Sequence, residues 1–178
     1  PTMMQAAITG VSPLSENMPA GIRALQELVE QKMIAPAFQP IVNAMGGEIF
    51  GYEMLGRGTH PELPDNPGPL FRIAESVNSL PMQLSQLFRD VGIAKAATFD
   101  TNAVFFMNVH PYELRYTRLL LMQMEKIRKD YPGMKLVLEI HEKAVPSLPD
   151  MKKICRELDS LNIKLAYDDF GAGQARFI

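Results

Sequence analysis

Cysteine is almost missing from this sequence: Cys155 is the only one in 178 residues. A lone thiol cannot close an intramolecular disulfide, which excludes a disulfide-stapled secreted scaffold and suits a reducing, cytoplasmic setting. No apolar run approaches the roughly 18 residues that a membrane-spanning helix needs. Residues 1–20 lack the basic start and apolar core of a secretory leader, and they read as a linker or N-terminal extension before a domain over 21–178. The net charge is only −2, with both signs interspersed. There is no basic stripe to track duplex nucleic acid and no acidic tail. Internal repeats, low-complexity tracts, a P-loop, a G-x-G-x-x-G turn and a Ser-His-Asp arrangement are all lacking. His60, His110 and His141 share no metal-ligand spacing, and Cys155 falls on the apolar face of a helix, where it reads as core.

What is there is an ordinary globular composition, 47% hydrophobic and 21% charged, in a chain long enough for one well-packed core. Ile22, Leu25, Leu28 and Val29 recur at helical spacing, so Gly21–Met33 is expected to be a helix that Pro36 stops. Strands over Ala37–Asn43 and Glu48–Arg57 flank Gly46-Gly47, a hairpin pattern. A proline-rich loop over Thr59–Pro69 precedes helices at Leu70–Val77 and Met82–Ala97. The chain then alternates: strand Ala103–Asn108, helix Tyr112–Lys129, strand Lys135–Ile140, helix Leu148–Leu161, strand Lys164–Asp168. Apolar strands alternating with helices predict an α/β fold with a parallel sheet covered on both faces.

Each apolar run ends in oxygen-bearing side chains. Asn108 closes one strand, Glu139 and Glu142 another, and Asp168 with Asp169 a third. The carboxyl ends of parallel strands share one rim, where α/β folds build their sites. On the hairpin, Glu53, Leu55 and Arg57 are spaced by two and share a face. If Glu53, Glu139, Asp168 and Asp169 converge, four carboxylates repel one another, and a divalent cation relieves that cost. With Asn108 the donor set is all oxygen, which favours Mg²⁺, Mn²⁺ or Ca²⁺ over Zn²⁺. Adjacent Asp168 and Asp169 suit two metals and in-line attack of water on a phosphodiester, with Arg57 gripping a phosphate oxygen. Singly, these residues have plainer readings. Asp168-Asp169 suits a solvated turn or helix cap, Asn108 a strand-end amide, and Arg57 a rim salt bridge.

Taken together, four ordered segments resemble the EAL domain family. Gln39-Pro40-Ile41 with Glu53-Met54-Leu55-Gly56-Arg57 resembles its opening and signature. Phe106–His110 is similar to its F-x-N-x-S segment, Leu138–Glu142 to L-E-[LI]-T-E, and Tyr167–Gly173 to D-D-F-G-T-G. The resemblance implies a TIM-type (β/α) barrel whose first strand is antiparallel, and hydrolysis of cyclic di-GMP to linear pGpG by metal-activated water. It implies Glu53, Asn108, Glu139 and Asp168 as metal ligands, with Asp169 serving a second metal. Mg²⁺ or Mn²⁺ is the implied cofactor, with Ca²⁺ an inhibitory occupant. Arg57 would hold a phosphate, Gln39 and Leu55 would contact the ligand, and Glu142 would brace the loop after Asp169. A homodimer and fused sensor or GGDEF domains are family expectations.

The sequence departs from the family at several points. Met54 replaces the signature alanine, on the side of the strand away from Glu53. His110 replaces a serine, His141 a threonine and Ala172 a threonine, and the last two bear on the loop after Asp169. The family's downstream lysine, later glutamate and glutamine-bearing segment have no counterpart before Ile178. The expectation is therefore an incomplete barrel, the N-terminal two-thirds of the domain, inactive by itself. A degenerate, non-catalytic receptor for cyclic di-GMP is the alternative.

Overall fold

The structure, a computed structural model, describes residues 19–99, 102–141, 144 and 147–168. Helix α1 (Ala20–Glu30) is followed by strands β1 (Ile34–Val42) and β2 (Ile49–Gly58) and helices α2 (Pro67–Ala74) and α3 (Leu80–Ala96). Strand β3 (Val104–Val109), helix α4 (Thr117–Asp130), strand β4 (Lys135–His141), helix α5 (Leu148–Ser160) and strand β5 (Ile163–Asp168) complete the alternation. Among the described residues no helix is long and apolar enough to cross a membrane.

The five strands form one sheet in the order β1-β2-β3-β4-β5. β1 runs antiparallel to β2, with Ile34 opposite Gly58, and the remaining neighbours are parallel. Each crossover advances to the next strand, and because crossovers are right-handed, successive ones in the same direction leave their helices on one face. This winding builds a barrel wall, not a doubly wound sheet.

Burial follows the strand period of two. Met54, Phe105, Met107, Val109, Leu136, Leu138, Ile140 and Ile163 are buried against Ile93, Leu120, Met124, Ile154 and Leu158 of the helices. The alternate positions Glu53, Phe106, Asn108, Glu139 and Ala166 are only half-buried. Coverage on both faces is thus corrected: the described helices pack one face. The strands read as continuously apolar because Phe106, Val137 and Ala166 carry apolar side chains on the other face as well. A second core joins α1, α2 and α3 through Leu25, Leu28, Leu70 and Leu84 around Ile34.

Two boundaries differ from the periodicity in an informative way. α1 stops at Glu30, not Met33, because Lys32 turns left-handed (φ 53°) and Met33 N–H donates back to the Leu28 carbonyl at 2.8 Å. Pro36 therefore lies inside β1, where an edge strand tolerates a missing donor. The expected helix from Tyr112 is split: Pro111–Tyr116 is a 3₁₀ turn, and α4 begins at Thr117. His110 caps that turn, accepting at Nδ1 from the Tyr112 N–H, while Glu113 accepts from the His110 N–H at 3.0 Å.

Candidate functional site

The pleat brings the predicted residues onto the open face near the carboxyl ends of the strands. Asn108 stands directly opposite Glu139 in the sheet, and Asp168 opposite His141. Asn108 Nδ2 donates to Glu53 Oε1 at 2.7 Å, across the β2–β3 pair. Gln39 is paired with Glu53 in the hairpin and is therefore on the same face.

Electrostatics tie Glu139 to the rest. Its carboxyl is pushed up from the ordinary 4.5 to about 7, first by burial and then by the charges of Glu53 and Asp168. Three acidic groups from β2, β4 and β5 thus share one field, and the neutral amide of Asn108 sits among them. Among the described residues no three His, Cys, Asp or Glu side chains are already drawn together as a metal clasp. The donors nevertheless fit a hard cation: all are oxygens, and the repulsion that lifts Glu139 is what a divalent charge removes. Asp169 and Glu142 lie outside the described residues.

A cavity of about 260 Å³ adjoins this set, with Leu55, Phe71, Phe88, Asn108, His110 and Asp168 in its walls. Its walls are mainly apolar, with Ser85, Arg89, Asn108 and Asp168 supplying polar groups. His110 stacks on Phe71, with ring centroids 4.4 Å apart and planes within 10°. Burial lowers the pKa of His110 despite the opposing charges of Glu113 and Glu75. His110, which the sequence marked as standing in place of a family serine and not as a metal ligand, forms part of this wall.

Arg57 is half-buried near the end of β2, and its Nη1 donates to the Gly56 carbonyl at 2.9 Å. Among the described residues it makes no ion pair, so the rim-salt-bridge reading is not what the structure displays. Gly56 beside it is required by packing: a Cβ there would meet the Phe88 ring at 2.1 Å. Met54 points into the helix-covered core, as its parity implied, and lies over Gly92 of α3.

Sequence reasoning passed over one group altogether. Ser85, Arg89, Glu113 and Gln123 are buried polar residues next to the site. Their signals were present: Ser85 and Arg89 lie four apart in an apolar helix, and Glu113 follows His110 at capping-box spacing.

A family model described as the EAL domain matches residues 22–178. The cyclic di-GMP phosphodiesterase PdeL of Escherichia coli is 28% identical over 162 residues, covering 86% of this chain and 44% of that protein. The cyclic di-GMP phosphodiesterase RocR of Pseudomonas aeruginosa is 32% identical over 144 residues, covering 76% and 36%. The chain spans less than half the length of these curated relatives. Among solved structures, a PaMucR phosphodiesterase in complex with c-di-GMP superposes with a TM-score of 0.75 at 20% identity, covering 89% of this chain and 66% of that one. The Bacillus subtilis YkuI protein, with c-di-GMP and calcium, gives 0.70 at 21%, covering 86% and 39%. Klebsiella pneumoniae BlrP1, with manganese and cyclic di-GMP, gives 0.62 at 19%, covering 82% and 37%. The fold is therefore that of a TIM-type barrel, whose wall is here five strands wide and unclosed among the described residues.

Proposed function

This chain belongs to the EAL domain family, and from that membership we propose that its parent protein is a metal-dependent cyclic di-GMP phosphodiesterase yielding linear pGpG. The observation that carries the reading is the convergence of Glu53, Asn108, Glu139 and Asp168 on one face, with Glu139 held near pH 7 by burial and its acidic neighbours. These four would hold one Mg²⁺ or Mn²⁺, and Asp169 would serve a second, with Ca²⁺ an inhibitory occupant. When bound, such a cation acidifies water and offsets phosphate charge. To serve as a ligand Glu139 would have to release its proton to solvent, because metal ligation needs the carboxylate. Arg57 holds a non-bridging phosphate oxygen with its planar fork. Leu55 lies against a guanine in the apolar cavity, Gln39 contacts the ligand beside Glu53, and Glu142 braces the loop that follows Asp169.

The test is turnover. The full-length parent protein with Mn²⁺ or Mg²⁺ and cyclic di-GMP is expected to release linear pGpG, resolved by ion-pair chromatography, whereas the 178-residue chain alone is expected to release none. Failure with both metals sinks the hydrolase. The cavity and Arg57 support ligand binding without any metal, so calorimetric binding without product would establish the receptor reading. Association of two copies, the family expectation, is checked by light scattering of the same sample.

A further inference from the structure

The strongest unexplained feature is a buried charged network, two members of which, Ser85 and Arg89, also line the cavity. Arg89 on α3 is 3% exposed and Glu113 only 1%. Arg89 Nη2 pairs with Glu113 Oε2, and Arg89 Nη1 donates to Glu113 Oε1 at 2.9 Å. Arg89 Nε donates to Gln123 Oε1 at 3.0 Å, and Ser85 Oγ donates to Glu113 Oε1 at 2.5 Å. Taking two ions out of water offsets most of what their attraction returns, so a buried pair is a poor source of stability. Its geometry is the informative part.

Gln123 Nε2 ties the network to α3 through the Gln86 carbonyl at 3.4 Å and Asp90 Oδ1 at 3.3 Å, and two other contacts reach one short stretch of chain. Arg89 Nη1 donates to the Asn108 carbonyl at 2.9 Å. Glu113 accepts from the His110 N–H at 3.0 Å. The end of β3 is thereby held on both sides of Val109, where the strand gives way to the 3₁₀ turn. Within the β3–β4 ladder, fixing the Asn108 carbonyl restricts the residue's backbone and so narrows the direction from which its side chain departs.

We infer that the Arg89–Glu113 pair, steadied by Ser85 and Gln123, is a positioning device that aims the Asn108 amide into the carboxylate set. This rests on the proposed metal role of Asn108. Arg89 lines the cavity, and its effect on the metal site runs through the backbone of residue 108. Residues that orient metal ligands typically matter about 10- to 100-fold for metal affinity.

The experiment separates aim from stability. In Arg89→Met/Glu113→Gln both charges vanish together, so no orphan ion remains, and the glutamine still caps His110. Its melting temperature in EDTA is expected within a few degrees of wild type, while Mn²⁺ affinity, read by electron paramagnetic resonance, falls about 10- to 100-fold. An equal Mn²⁺ affinity in the folded double variant overturns the inference and leaves the metal site standing. If the double variant fails to fold, Arg89→Lys decides instead. It keeps the ion pair but lacks the fork that reaches Asn108 and Gln123 at once. At least a fivefold loss of affinity supports the device, and an unchanged value refutes it. Wild-type protein that takes up no Mn²⁺ at all overturns the metal site and this inference together.

Discussion

Replacing Glu139 with glutamine should stabilise the metal-free protein at alkaline pH, although it removes a charged residue from the site. The raised Glu139 titration means that the folded state resists ionising this carboxyl, whereas the unfolded chain ionises it near the ordinary 4.5. Below about pH 4.5 both states are protonated and the group costs nothing. Between 4.5 and about 7 the unfolded chain binds fewer protons, so stability falls as pH rises, and above 7 the loss is complete. At about 1.4 kcal/mol per pH unit, discounted because the half-buried carboxyl is screened by solvent, the penalty is about 1–2 kcal/mol. Glu139→Gln carries no such penalty. In EDTA at pH 8 it should melt about 2–8 °C above wild type, and at pH 4.5 the two should coincide. Excess Mn²⁺ should reverse the order at pH 8, because only the wild type gains binding energy from the ion. Thermal melts by circular dichroism at the two pH values, with and without Mn²⁺, read all three comparisons. A glutamine variant less stable than wild type at pH 8 in EDTA would refute the reasoning, since Glu139 would then be favourably held, not repelled.

Three further outcomes follow from the packing and the site. Arg57→Ala should weaken cyclic di-GMP binding about 10- to 100-fold, the worth of a charge-assisted phosphate contact, and leave Mn²⁺ affinity unchanged; calorimetry with each ligand separates the two. Gly56→Ala drives a Cβ to 2.1 Å from the Phe88 ring and should cost about 1–3 kcal/mol in urea unfolding. Met54→Ala leaves a void over Gly92 and should cost about 2–4 kcal/mol; adding Gly92→Ala should recover part of it, so a double-mutant cycle showing strict additivity would argue against their contact.

The sequence made the site easier to read than its supports. Asn108, Glu139 and Asp168 stood out because a polar side chain at the end of an apolar strand has few other reasons to be there. The strand period alone put Met54 in the core and Glu53 on the other face. Arg89 and Glu113 escaped notice for a physical reason: a charge on a helix normally marks the solvent side, and only three-dimensional pairing across 24 positions shows that these two are interior. The 3₁₀ turn at Pro111 was hidden similarly, since its composition suits an α-helix and only the His110–Glu113 cap reveals the break. One-sided helix cover was invisible because Phe106, Val137 and Ala166 place apolar side chains on the open face as well.

The reversed direction of β1 has a mechanical consequence. Because Ile34 pairs with Gly58, the junction between α1 and β1 arrives at the rim that carries Arg57, and Thr59 N–H donates to the Met33 carbonyl there at 2.9 Å. The hairpin turn at Asn43–Glu48 lies at the far end, a strand length away. A displacement of α1 is therefore expected to be felt at the rim that carries Arg57, and a longer Gly46-Gly47 turn at the opposite end. One end of the hairpin is wired to the site as a lever, and the other is a free handle for insertions or labels.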